Sequence, residues 1–248
     1  MPQRGQLTAL VILGLLIVIV LSLALFVRVG RVGTLMAEEE KQVVLPPDAR
    51  EAQAQIHGCL EDLSAEGLYK IGAHGGYVEP PEDSLPLGYF LIAYGASEGK
   101  KRLPTLSQVA EELESFLEEE MPFCLEDAGL AEKVTARSAE VLIAPGDTVA
   151  LTIAYPASLN LEGAEFTLTD PYAVSLPLRL EKVHGAAEQI ADFALLHPGE
   201  VDMGQLLNYD LFVDITIIAP RVLLYSIRDE QSLIGGVPFT FNMAVSKG

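Results

Sequence analysis

The chain has 248 residues, with 35 acidic side chains against 16 basic ones, a net charge of −19, and half of its residues are hydrophobic. That apolar content argues against a disordered chain, and the acidity makes nucleic acid and anionic lipid headgroups poor partners. The charge is also segregated. Arg4, Arg28 and Arg31 are the only charged side chains up to residue 31, which leaves 13 basic against 35 acidic residues beyond it, a net of −22. The simplest role of such a surface is solubility.

The first element is apolar. Leu7 to Val27 contains no charge, proline or amide side chain. As a helix rising about 1.5 Å per residue it spans roughly 31 Å, the thickness of a bilayer's hydrocarbon core. A cleaved secretory signal has a shorter apolar stretch followed by a small-x-small site, whereas this one runs into Phe26-Val27-Arg28. A retained single-pass anchor is therefore expected, with the lipid bilayer as partner through Leu7–Val27. Arg4 and the amino terminus roughly balance Arg28 and Arg31, so the positive-inside rule leaves orientation open. The very short N-terminal tail and the use of cysteine, described below, favour the bulk of the chain outside the cytoplasm.

The opening Arg4-Gly5-Gln6-Leu7-Thr8, followed directly by the apolar run, resembles an archaeal class III (prepilin-like) signal. The resemblance implies cleavage by a membrane peptidase between Gly5 and Gln6, leaving Gln6 as the new N-terminus. Many such signals carry Glu at the fifth mature position, where this chain has Leu10. The N-terminus is also similar to that of a broad set of archaeal surface proteins with an R/K-G-Q start. In that set a helix bearing Cys, a Gly-Gly-Tyr segment and a second Cys follow in order, as do Cys59, Gly75-Gly76-Tyr77 and Cys124 here. The resemblance implies a location and an architecture, and no activity.

After a polar stretch, Pro46-Pro47 launches a helix, with Asp48 and Glu51 at capping-box spacing. Ala52, Ile56, Cys59, Leu60, Leu63, Leu68 and Ile71 recur at helical spacing, and Gly72 ends the run. Tyr77-Val78 and Leu87 to Tyr94 read as strands around the Pro80-Pro81 turn. A second helix is predicted from Thr105, where Gln108 completes a capping box. Leu106, Val109, Leu113 and Leu117 form its apolar stripe, Glu111, Glu112, Glu114, Glu118, Glu119 and Glu120 fall mostly on a solvated face, and Pro122 ends it. Cys59 lies on the apolar face of the first helix and Cys124 just past the second. A Cys59–Cys124 disulfide would pin the two together, as suits an oxidising compartment; the alternative is two buried free thiols.

Beyond about Ala131 the pattern turns to period two. Glu140–Ile143 and Thr148–Tyr155 read as a hairpin around Pro145-Gly146, and Phe166–Leu168 as a further strand. A helix is predicted from about Leu176 to Leu196, followed by strands over Leu211–Ala219, Val222–Arg228 and Phe239–Val245. Local strands joined by turns favour a mostly antiparallel sheet.

Catalytic readings fail on spacing. Gly95-Ala96-Ser97-Glu98-Gly99 fits G-x-S-x-G, but Lys100 to Pro104 separates the serine from the next helix, where a nucleophile elbow needs the helix at once. His57, His74, His184 and His197 are scattered, and two thiols with four such histidines lack metal-ligand spacing. No phosphate loop, dinucleotide fingerprint or metalloprotease helix is present. No catalytic, cofactor-binding or metal site is predicted.

The expected fold class is α+β: an anchor or prepilin-like signal over 1–31, a disulfide-clasped helical lobe over 32–130, and a mostly antiparallel β-rich lobe with one packed helix over 131–248. The expected function is that of a non-enzymatic, membrane-anchored extracytoplasmic protein of the cell envelope, assembling with itself or with other surface proteins. A pilin-like filament subunit is the alternative, and an extracytoplasmic sensor or solute-binding domain a further one.

Overall fold

A computed structural model describes residues 45–246 apart from Arg137, Pro145, Asp147 and Glu162. The predicted anchor Leu7–Val27 and the Gly5/Gln6 site lie outside the described residues, as do two residues of the Pro145-Gly146-Asp147 turn. Among the described residues no helix is long and apolar enough to cross a membrane.

Helix α1 spans Pro47–Ala73. Proline at its first position is favourable, because that N–H has no helical partner in any case. No side chain caps this end, so the Asp48/Glu51 box is not formed; starting the helix at Pro47 puts Asp48 inside its first turn. Helix α2, Leu106–Asp127, does carry the predicted box: Thr105 and Gln108 each satisfy the other's backbone N–H. Pro122 lies inside α2 and does not end it. Buried Leu125 and the Cys124 bridge hold the last turn in place, against the one hydrogen bond that proline removes.

Cys59 and Cys124 form a disulfide with Cα atoms 5.9 Å apart. The two helices run antiparallel, since Gly67, beyond Cys59 on α1, meets Leu113 and Phe116, before Cys124 on α2. A Cβ on Gly67 would stand 2.6 Å from Leu113 Cδ1 and 2.8 Å from Phe116 Cδ1. Only glycine permits the helices this approach without repacking. Beside that crossing the Lys70 ammonium sits 4.4 Å from the Phe116 ring centroid.

Between the helices come four short strands: β1 (Leu85–Leu87), β2 (Phe90–Ile92), β3 (Tyr94–Ser97) and β4 (Lys100–Lys101). Tyr77-Val78 is loop, and the expected strand from Leu87 to Tyr94 is divided. Gly88, with φ 64°, turns the chain back between β1 and β2, and β3 leaves for another sheet. Then follow β5 (Val134–Ala136), β6 (Glu140–Ala144), β7 (Val149–Ala154), β8 (Ala157–Leu161), β9 (Ala164–Leu168) and β10 (Tyr172–Leu176). They make two antiparallel three-stranded sheets, in the orders β10-β7-β6 and β5-β8-β9. The predicted hairpin is β6–β7, with Val149, Leu151 and Ile153 buried on one side. These sheets meet the helical pair: α2 packs on β6, and α1 on β10 and β8.

Helix α3 covers Leu180–Leu196 and the short α4 Met203–Leu206. The start of α3 falls later than expected because Tyr172, Val174 and Leu176 alternate with exposed neighbours and belong to β10. The chain closes with β11 (Phe212–Ala219), β12 (Val222–Ile234) and β13 (Val237–Ser246). They join the earlier strands in a five-stranded sheet of order β11-β12-β13-β3-β4, antiparallel except for β13 and β3. Strands from both sides of residue 131 thus share one sheet, on which α3 and α1 pack. The β-rich part is antiparallel as expected, and the fold is α+β.

Candidate binding cleft

The Gly-Gly-Tyr segment after α1 shapes a cleft beside which a buried polar group has no hydrogen-bond partner. Gly76 takes φ 104°, and a Cβ there would lie 2.3 Å from Pro104 Cγ, so glycine is required twice over. The turn it permits delivers Tyr77 to a cleft of about 300 Å³ lined by Tyr77, Pro81, Asp83, Ser84, Ala93, Tyr94 and Arg102. Its floor is tied into the sheet through Ala93, whose N–H donates to His74 O at 3.1 Å and whose carbonyl accepts from Ala244 N at 3.0 Å.

Arg102 organises the wall. Its guanidinium bridges Asp83 and Glu98, and its carbonyl accepts the Tyr77 hydroxyl at 3.2 Å. On the other side of Tyr77, the Glu112 carboxylate of α2 accepts from Val78 N at 3.0 Å. Burial pushes the Tyr77 hydroxyl's pKa above its ordinary value, and the nearby Glu112 and Asp83 charges add to this against the opposing pull of Arg102. The phenol therefore stays a neutral hydrogen-bonding group. Ser84 is 8% exposed, and its hydroxyl is buried with no hydrogen-bond partner. An orphaned buried hydroxyl costs about 1–3 kcal/mol. Next to the cleft, the β1–β2 hairpin holds up a fully exposed Tyr89 with Phe90 and Leu91, both also exposed.

The residues considered from sequence for chemistry fall elsewhere or into structural roles. Ser97 ends β3, and Glu98 and Gly99, both at positive φ, turn the chain straight into β4. This is a tight hairpin with no helix to present an oxyanion hole. His57 Nε2 lies 3.0 Å from Ala173 O and its ring stacks on Tyr172. His74 Nδ1 is 2.9 Å from Val78 O, His184 Nε2 is 2.6 Å from Pro104 O, and His197 stacks on Phe193. Among the described residues no group of three or more His, Cys, Asp or Glu is placed to hold a metal ion.

The glutamate run on α2 does more than face solvent. Glu114 accepts from Val141 N at 2.7 Å and Glu118 from Ala139 N at 3.1 Å, satisfying donors of β6 and its approach, while Glu112 braces the cleft. The second feature missed in sequence is an ionic knot. Arg179, just before α3, donates through Nε to Asp229 at 2.8 Å, makes a second bond to it through Nη2, and reaches Asp210 at 2.9 Å. Asp229 is fully buried, and its partners Ser232 and Gln231 lie in the bulge that interrupts β12 against β13. No sequence motif marks these charges; the partners are 31 and 50 residues apart.

No family model matches the chain, and neither does any curated protein or solved structure.

Proposed function

We propose that this is a non-enzymatic, membrane-anchored protein whose folded domain lies outside the cytoplasm and binds or assembles with other components of the cell envelope. The observation that carries the proposal is the Cys59–Cys124 disulfide, in a chain whose N-terminal region holds an uncharged run long enough to span a bilayer. Disulfides persist in oxidising compartments and are rare in the cytosol. The acidic surface suits a domain that stays in solvent near a membrane without adhering to anionic headgroups. An exposed aromatic hairpin beside a preformed cleft supports binding as its task.

The Arg4-Gly5-Gln6 signal favours a second reading, a pilin-like subunit cut between Gly5 and Gln6 whose apolar helices bundle into a filament core. The cleft itself supports a third, a solute-binding or sensory domain. Intact mass and N-terminal sequence of the protein recovered from its native membrane separate the first two. Retention of the residues up to Gly5 is expected for a plain anchor. A chain that begins at Gln6 would replace that reading with the filament.

A further inference from the structure

We infer that the cleft formed by Tyr77, Asp83, Ser84, Tyr94 and Arg102 holds one ring of a neutral saccharide. The inference gives a ligand class to the surface-binding reading and rests on it for its biological setting. Its test is indifferent to which side of a membrane the domain occupies.

Three properties of the cleft select this chemistry. The first is charge: Arg102 is the cation of the cleft, and Asp83 and Glu98 both engage it, with the Glu112 carboxylate just behind Tyr77. These four side chains leave two negative charges in excess, so an anionic ligand is repelled, and a cationic one would have to displace Arg102 from Asp83 and Glu98. The second is the mixed wall. Tyr77, Tyr94, Pro81 and Ala93 offer apolar surface, whereas Asp83 and Arg102 offer hydrogen-bonding groups. A purely apolar ligand would strand the latter. A saccharide ring carries C–H faces for the aromatic surfaces and hydroxyls that both donate and accept, which suit a wall holding a carboxylate and a guanidinium. The third is size. About 300 Å³ is the lower end of small-ligand pockets. An extended proline-rich peptide needs a series of pockets along its length, and a single cleft fits one ring.

The site is also held in place before any ligand arrives. Tyr77 is fixed by its hydroxyl bond to the Arg102 carbonyl and by Gly76, and Arg102 N and Leu103 N both donate to Gly95 O, at 2.9 and 3.1 Å. Such preorganisation lowers the ordering cost of binding.

The experiment is a calorimetric titration of the detergent-solubilised full chain with the methyl glycosides of glucose, galactose, mannose and N-acetylglucosamine. Saturable binding of at least one, with a dissociation constant on the order of 1 mM and little change with added salt, is expected for a single neutral ring. Tyr94→Ala should weaken it at least tenfold and Tyr94→Phe should recover most of the loss, because the ring face remains. Leu142→Ala, an exposed change on β6, should leave binding intact. Thermal melts of each variant separate loss of binding from loss of fold. The inference is overturned if no glycoside in the panel gives saturable heat. It is equally overturned if a folded Tyr94→Ala binds as well as the parent, or if inorganic phosphate or a polyproline peptide binds while the glycosides do not. None of these outcomes bears on which side of a membrane the domain occupies, which is read by other means.

Discussion

Arg179 and Asp229 show how one pair of residues holds a seam of this fold. Asp229 is buried at a strand bulge, and burial works to raise its pKa, but the Arg179 hydrogen bonds, with Ser232 and Gln231, bring it below the ordinary value. Asp210, exposed on the other side of Arg179, is held down to about 2 by Lys182 and Arg179. A carboxylate whose folded pKa lies below its unfolded value of about 3.9 contributes stability that is fully present above that value. The contribution is lost as pH falls toward 2. Acid titration followed by circular dichroism should therefore show stability decreasing through that window. Replacing Arg179 by Met leaves Asp229 buried without its cation, which costs about 3–5 kcal/mol in denaturant unfolding at neutral pH. The acid dependence should flatten in the same variant. Gly76 makes a second residue-scale point. Gly76→Ala adds a Cβ against Pro104 at positive φ, and a loss of about 1–3 kcal/mol is expected from overpacking alone.

At the scale of elements, the helical pair is locked by a covalent bridge. The loop closed by Cys59 and Cys124 spans 65 residues, for which the chain-entropy model gives about 4 kcal/mol. The double variant Cys59→Ala/Cys124→Ala should lose about that much in denaturant unfolding. Thiol labelling of the unfolded protein should find two groups after reduction and none before. This part was legible because its signals are local: Pro46-Pro47 opens α1, Thr105 and Gln108 cap α2, and Cys59 falls on the apolar stripe of α1 with Cys124 near the end of α2. Pro122 misled because a proline usually stops a helix, and only tertiary contacts at Leu125 and the disulfide carry the last turn through it. The strands β5, β8 and β10 were missed because they are short and their partners are set by long-range pairing. Of Tyr172 to Leu176, the sequence assigns only Leu176, to the start of the helix, and alternate burial shows the strand. The cleft was legible only as the Gly-Gly-Tyr motif. Its other walls come from Asp83, Ser84, Tyr94 and Arg102, which no spacing groups together. Likewise a glutamate that meets water and one that meets the N–H of Val141 look the same in a sequence.

As a whole, the chain carries an apolar N-terminal run ahead of an acidic α+β domain closed by a disulfide. In the proposed function, the run would supply attachment, the disulfide would suit an oxidising compartment, and the cleft with its exposed hairpin would do the binding. The cysteine pairing was legible because each cysteine could be placed on or beside a predicted helix, whereas the apolar run lies outside the described residues. Sequence could not read the shared five-stranded sheet, in which β3 and β4 precede α2 while β11 to β13 follow α3.

The central claim is that the domain faces outward from a membrane, and protease accessibility on intact native cells tests it most directly. Proteinase added outside should degrade the domain carrying Cys59 and Cys124 and leave a membrane-protected peptide that includes Leu7–Val27, while a cytoplasmic marker survives. A full-length chain that resists until the cells are lysed would place the domain inside and contradict the account.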